Sequence, residues 1–233
     1  LRKAKIVSAE RLPHGVTEPL RLDLEHEGVT ASAVWKSVDR YKPGVTRFRD
    51  GTFEANFSDS YKFEVAAYEL DKLLGLGLVP PTVVRRFRGK AGSLELFIEN
   101  ATTDFERRQK RIPPPDLLRW NRQIYNLQLL RQLTCDADYK NVRNNLIDPN
   151  WRVWVIDSSR AFRPDEELFE ESTVDHFSRA VLERLEALGL EMLKERLGQW
   201  VSDARLEAFL ARRDRLLARA RKLVAERGAV SLT

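Results

Sequence analysis

The sequence predicts an α+β chain in two lobes: an N-terminal antiparallel sheet carrying one helix, then a small helical lobe. Three observations carry that expectation. Residues 4–10 and 19–37 alternate apolar and polar side chains with the period of two of half-buried strands, and Glu27-Gly28 supplies a turn within the second stretch. Residues 59–75 form one strongly helical stretch with apolar side chains at three- and four-residue spacing. Beyond residue 116 the pattern is helical, apart from one short hairpin before Asp157. The lobes are divided after residue 99, so residues 1–99 and 100–233 together make one domain.

Length and composition narrow the function classes. A chain of 233 residues can bury a substantial core. Forty basic residues against thirty-five acidic ones leave +5, and much of that excess lies in the Arg-rich C-terminal helix, so no specific nucleic-acid binding is expected. Cys135 is the sole cysteine, which excludes an internal disulfide framework, and the three histidines have no zinc spacing. No apolar run approaches the roughly eighteen residues of a membrane helix, and no signal-peptide pattern is visible. A cytoplasmic location is expected, with an exported form left open because the chain starts at Leu1. Oligomeric state is not legible.

In chain order, Leu20, Leu22 and Leu24 alternate along the second strand, and Val29–Ser37 returns beside it. Between the first two strands lies Pro13-His14-Gly15-Val16-Thr17-Glu18-Pro19, a loop with one glycine whose local reading is an ordinary turn. At the end of the returning strand Val34 and Lys36 share a face. Residues 38–58 read as loop. The helix follows, with Asp59 or Ser60 as N-cap, Gly75 or Gly77 as terminator, and Phe63, Ala66, Ala67, Leu70, Leu73 and Leu74 as its apolar face. Glu64 borders that face and is positioned to be drawn inward. Thr82–Phe87 and Ser93–Glu99 complete the sheet, and Glu99-Asn100 falls at the passage to the second lobe. Residues 101–114 read as a basic, proline-stiffened connection. Asp116 caps a helix to about Leu133 that is apolar on most sides, as a core helix is. Two further helices are expected near Val174–Gly198 and Asp203–Arg227, with charged outer faces.

The stretch with the most chemistry is Thr134–Phe162. Asp148-Pro149-Asn150 is turn chemistry between Asn144-Asn145-Leu146-Ile147 and Trp151-Arg152-Val153-Trp154-Val155-Ile156. The hairpin brings Asn144 beside Asp157, and an acid with an amide oxygen makes a hard donor set suited to Mg²⁺ or Mn²⁺. Taken alone, the same residues also read as a surface hairpin whose Asp and Asn cap turns.

Two motifs carry a family resemblance. Glu64-Val65-Ala66-Ala67-Tyr68-Glu69-Leu70-Asp71-Lys72-Leu73-Leu74, with Val79-Pro80-Pro81 after it, is similar to E-x-A-A-[YF]-x-L-D-x-[IL]-L-x-x-x-x-V-P-P of secretory-pathway casein-kinase-like proteins. Val155-Ile156-Asp157-Ser158-Ser159-Arg160-Ala161-Phe162 resembles the I-D-H-x-x-x-F stretch of the atypical protein-kinase-like branch, with Ser158 in place of His. That branch includes HipA-like and phosphoinositide-kinase-like proteins. The resemblance covers roughly Gly15 to Phe162 and implies a kinase-like fold and ATP-dependent transfer of the γ-phosphoryl group to a hydroxyl acceptor. It implies Lys36 on the phosphates, positioned by Glu64; Val34 over the adenine; Gly15 and Thr17 in the phosphate-covering loop; and Glu99 at the hinge. It also implies Asn144 and Asp157 on Mg²⁺ or Mn²⁺, and Asp138 facing the acceptor. Asp138 to Asn144 spans six positions where the motif has five, while Asp136 to Asn141 spans five. The longer loop keeps open a nucleotide-binding pseudokinase or an AMP transferase. A non-catalytic interaction module is the reading from another class. No activation segment is evident after Phe162.

Overall fold

The computed structural model describes residues 1–12, 18–48, 51–228 and 232. Strands β1 (Lys5–Arg11), β2 (Leu20–His26) and β3 (Val29–Lys36) are followed by the hairpin β4 (Asp39–Arg47) and β5 (Phe53–Ser60), then helix α1 (Tyr61–Leu74) and strands β6 (Thr82–Phe87) and β7 (Lys90–Leu96). The main sheet is antiparallel in the order β1-β2-β3-β7-β6. Alternation sends Leu22, Leu24, Ala33, Trp35 and Leu94 to one face, where they form a small core with Ala4. Arg85 fastens the N-terminal segment over that core through the carbonyls of Leu1 and Ala4. Val34 and Glu95 are paired on the opposite face, and Lys36 lies two residues beyond Val34.

Ser60 caps α1 by accepting the Lys62 N–H at 3.2 Å, and Gly75 ends it at φ 64°. Glycine fits there for two reasons: the left-handed backbone disfavours a side chain, and a Cβ would collide with the Arg184 guanidinium. The apolar face of α1 does not join the small sheet core. Phe63, Ala66, Ala67, Leu70 and Leu74 belong to the larger core with Leu130, Leu133, Val155, Phe162, Leu185, Leu193 and Phe209. One helix therefore serves both halves of the chain: its polar edge addresses the sheet and its apolar face packs on the C-terminal helices.

Several expected boundaries change. Residues 38–58 are not loop: β4 and β5 pair antiparallel, with an irregularity between Lys42 and Val45 and left-handed Asn56 (φ 53°). Exposed Tyr41, Val45 and Phe53 broke the alternation by which a half-buried strand is recognised. The β6–β7 turn tightens to Arg88-Gly89, because β7 starts at Lys90. The proline-rich connection contains β8 (Thr102–Thr103) and α2 (Asp104–Gln109), the latter closed by a Thr103/Glu106 capping box. Buried Asp104 holds Arg107 and Arg108, both at 2.7 Å.

Helix α3 (Leu117–Thr134) is buried only in its second half; Leu117 and Leu118 are 63% and 75% exposed, so it is not a core helix along its length. A 3-10 turn, Val142–Asn144, precedes β9 (Asn145–Ile147), which pairs with β10 (Val153–Val155) and with β8. The helix expected over Val174–Gly198 is two, α4 (Arg179–Ala187) and α5 (Leu190–Leu197), broken at Leu188-Gly189. Helix α6 (Asp203–Arg227) closes the larger core.

Arg212 of α6 is fully buried and donates to the carbonyls of Leu133 (3.0 Å), Arg163 (3.2 Å) and Asp165. It ties α6 to the end of α3 and to the chain just past Phe162. Arg212→Met should therefore cost about 3 kcal/mol or more, because it orphans buried carbonyls. Removing the exposed Arg215–Glu167 pair should cost at most about 1 kcal/mol. Urea unfolding of the two variants checks the contrast, and equal losses would contradict it.

Candidate functional site

Three elements converge on one ammonium. Strand β3 ends at Lys36, α1 begins three residues before its buried Glu64, and β10 leaves the small sheet just ahead of Asp157. Lys36 Nζ lies 2.6 Å from Glu64 Oε1 and 2.8 Å from Asp157 Oδ1, and the Ser158 N–H donates to Glu64 Oε2 at 2.9 Å. Glu64 is thus held on both oxygens, by Lys36 and by the backbone after Asp157. Asp157 adopts φ 62°, a left-handed conformation that Asp tolerates better than most residues. This conformation turns the chain sharply at the end of β10 and leaves the Asp157 side chain 43% exposed.

The charges here are interdependent. Burial would pull the Lys36 ammonium down, but Glu64 and then Asp157 outweigh it, so its pKa is raised. Lys36 in turn holds Asp157 below the usual carboxylate range. Burial raises Glu64 against the pull of Lys36. Glu95, on the Val34 face, is buried with Oε2 unpartnered, and burial and then Glu64 push it well up. The junction therefore carries more carboxylates than its single ammonium offsets.

The loop after α3 is set by a left-handed Cys135 at the helix C-terminus. Asp136 Oδ1 accepts the Asp138 N–H at 2.9 Å, which shapes the turn. Burial, with Asp138 and Asp157 adding repulsion, drives Asp136 up to about 7. Asp138 is raised by burial, opposed by Arg160, whose Nη1 sits 2.9 Å from Asp138 Oδ1. Beside it lies an open cavity of about 470 Å³ lined by Ala137, Asp138, Tyr139, Lys140 and Asn141. Asn144 precedes β9 by one residue, so the strand does not start where the sequence suggested. Its carbonyl accepts the Ile156 N–H at 3.0 Å, one residue ahead of Asp157, and its Oδ1 accepts from Asn141 at 3.2 Å.

Of the sequence-derived residues, Lys36, Glu64 and Asp157 meet directly, Asn144 is joined through backbone, and Asp138 stands on the adjoining loop. Val34 lies on the Lys36 face. Glu99 is an exposed partner of Arg21 at 3.0 Å. Gly15 and Thr17 lie outside the described residues. Three residues escaped the sequence reading. Glu95 had a partial signal, a charge between Leu94 and Leu96 in a strand, but its place beside Lys36 comes from the sheet register. Arg160 and Glu54 had none, because their meeting spans 106 positions.

The fold has known counterparts. The chain superposes on the crystal structure of the Golgi casein kinase with a TM-score of 0.62 and 11% identity, over 98% of this chain and 75% of that one. The Helicobacter pylori proinflammatory kinase CtkA superposes with a TM-score of 0.51 and 11% identity, over 98% and 97%. No family model and no curated protein sequence matches this chain. The fold is thus an atypical protein-kinase-like one, α+β, with an antiparallel-sheet N-terminal region and a helical C-terminal region.

Two measurements probe this geometry. A double-mutant cycle over Lys36→Met and Glu64→Gln should give a coupling of about 1–3 kcal/mol, reduced from a fully isolated buried pair because Asp157 remains as an alternative partner. Zero coupling would contradict the pairing. The second concerns pH. With Asp136 near 7 in the folded state and 3.8 as its ordinary value, the folded chain binds the extra proton between those limits, so this group's contribution to stability falls as pH rises through them. Asp136→Asn keeps an acceptor for the Asp138 N–H and should gain on the wild type as pH rises from about 4 to about 7. A constant difference across that range would show that Asp136 does not carry the shift.

Proposed function

We propose that this chain is an ATP-dependent phosphotransferase that moves the γ-phosphoryl group to a hydroxyl acceptor. The observation that carries the reading is the Lys36–Glu64–Asp157 junction beside a loop that presents a further carboxylate, Asp138. In this reading Lys36, fixed by Glu64, takes the nucleotide phosphates, and Val34 covers the base. Glu99 would stand at the hinge between the lobes. Asp138 orients the acceptor hydroxyl and takes its proton. In this reading residues 1–99 and 100–233 would be the two lobes on either side of the nucleotide.

The donor set fits a nucleotide-borne metal better than a caged one. Among the described residues no group of three or more His, Cys, Asp or Glu side chains could hold a metal ion. Mg²⁺ typically takes one or two protein carboxylates and completes its shell with phosphate oxygens and water. Asp157 meets that need: it is kept ionised by Lys36 and is half-exposed, with Oδ1 on Lys36. Asn144 would supply the amide oxygen, once freed from Asn141. Bound Mg²⁺ or Mn²⁺ would neutralise charge on the transferring phosphoryl group. The remaining work, positioning and holding the acceptor's proton, falls to side chains already in place.

No helix among the described residues is long and apolar enough to cross a membrane. A pseudokinase would bind nucleotide without turnover, an AMP transferase would release pyrophosphate, and an interaction module would do neither.

The test is a melting scan with ATP, with and without Mn²⁺ or Mg²⁺, followed by product analysis. Saturation at about 100 times Kd should stabilise the fold by roughly 2.7 kcal/mol, and only with metal. Asp157→Asn should lose the metal-dependent part. Asp138→Ala should keep nucleotide binding and lose transfer. No shift at millimolar nucleotide, or full turnover by Asp138→Ala, would overturn the assignment.

A further inference from the structure

The hairpin β4–β5 intervenes between β3 and α1 and ends against the segment that follows Asp157. Ser60, its last residue, donates its N–H to the Ser159 carbonyl at 2.8 Å. The Arg160 carbonyl accepts the Ala137 N–H at 3.3 Å, and the Phe162 N–H donates to the Thr134 carbonyl at 2.5 Å. The segment after Asp157 is thereby stitched to the hairpin on one side and to the Asp138 loop on the other. Arg160 stands in that seam with its side chain 23% exposed.

Its guanidinium makes two ion pairs in opposite directions. Nη1 meets Asp138 Oδ1 at 2.9 Å, and Nη2 meets Glu54 Oε2 of β5. Glu54 has 9% of its side chain exposed and Asp138 33%, so the hairpin end of the relay is drier than the acid it serves. The rings of Phe48 and Phe57, themselves packed edge to face, stand 5.7 Å and 5.4 Å from the guanidinium. A planar cation held by a carboxylate and flanked by two aromatic rings has few alternative rotamers. It can therefore fix the direction of whatever it binds on its free edge.

We propose that Arg160 is the positioning residue for Asp138, and that the β4–β5 hairpin, through Glu54, Phe48 and Phe57, is the device that holds Arg160 in place. The inference rests on the reading of Asp138 as the acid facing the acceptor. In that role Arg160 holds one carboxylate oxygen and leaves the other for the acceptor hydroxyl. It also keeps Asp138 ionised against its surroundings. Those surroundings are the carboxylate of Asp157, the Asp136 carboxylate bonded to the Asp138 N–H, and Glu54 across the guanidinium. Among the described residues Arg160 is the cation paired with Asp138, and Lys140 on the same cavity wall is largely exposed. The hairpin thus becomes part of the catalytic apparatus, and movement of its strands is transmitted to the reacting end of the site.

The experiment uses Arg160→Gln, Arg160→Lys and Glu54→Gln with two readouts on the full chain. One is the titration of Asp138 by carbon-13 NMR of labelled aspartate, assigned with Asp138→Asn. The other is ATP turnover as a function of pH with Mn²⁺. Arg160→Gln should move the Asp138 titration and the acid limb of kcat upward, and lower kcat about tenfold or more while KM for ATP stays within about twofold. Arg160→Lys should recover much of the loss, and Glu54→Gln should show a smaller shift in the same direction. If Arg160→Gln does not fold, the other two variants decide. An unmoved Asp138 titration in the variants overturns the proposal whatever the turnover. A moved titration in a chain that turns over no ATP leaves the relay standing and removes the phosphotransfer reading instead.

Discussion

The buried pair between Lys36 and Glu64 is the interaction on which the rest of the molecule depends. Each partner would be costly alone, since Glu64 is 1% exposed and an unpaired charge at that depth is strongly destabilising. Together they force three separate elements to one point: the last residue of β3, the first turn of α1, and the chain leaving β10. Glu64 binds the Ser158 N–H with its second oxygen, so the pair also sets the conformation at Asp157. A salt bridge of this kind contributes little net stability over a well-packed apolar substitute. Its value lies in registry, because few other arrangements satisfy both oxygens of Glu64 at once.

Helix α1 makes that registry matter beyond its own neighbourhood. Its apolar face lies in the same core as α3 to α6, while Glu64 reaches back to the sheet. A shift of α1 along its axis would unpack Leu70 and Leu74 and part Lys36 from Glu64 together. Arg212 acts in a similar way from the other side, binding the end of α3 and the chain past Phe162 to α6. The loop with Asp136 and Asp138 lies between those two anchors. Its acids are raised by burial, which packing rather than local sequence dictates.

Much of the frame was legible in the sequence because it is local. The alternation of Leu20, Leu22 and Leu24, the Ser60 cap, Gly75 and the apolar stripe of α1 are each decided within a few residues. Lys36, Glu64 and Asp157 were also legible, through their order and through motif likeness. Contacts that span the chain were not. Hairpin β4–β5 hides its pattern, because Tyr41, Val45 and Phe53 are exposed and Phe48, Glu54 and Phe57 turn towards Arg160. Glu95 reads locally as a polar position on a two-sided strand, and only the sheet register puts it under Val34 beside Lys36. The exposed first half of α3 misled for a related reason: apolar content alone does not say which turn of a helix is covered.

The Lys36–Glu64–Asp157 junction is the metal–nucleotide site that we propose. Crystals grown with Mn²⁺ and a non-hydrolysable ATP analogue test it most directly, by anomalous scattering from manganese. A site of that kind should give a manganese peak within coordination distance of Asp157 and Asn144, with the analogue's phosphates on Lys36 and the Lys36–Glu64 pair intact. Manganese and analogue bound away from Lys36 and Asp157, or no binding at saturating concentrations, would contradict it.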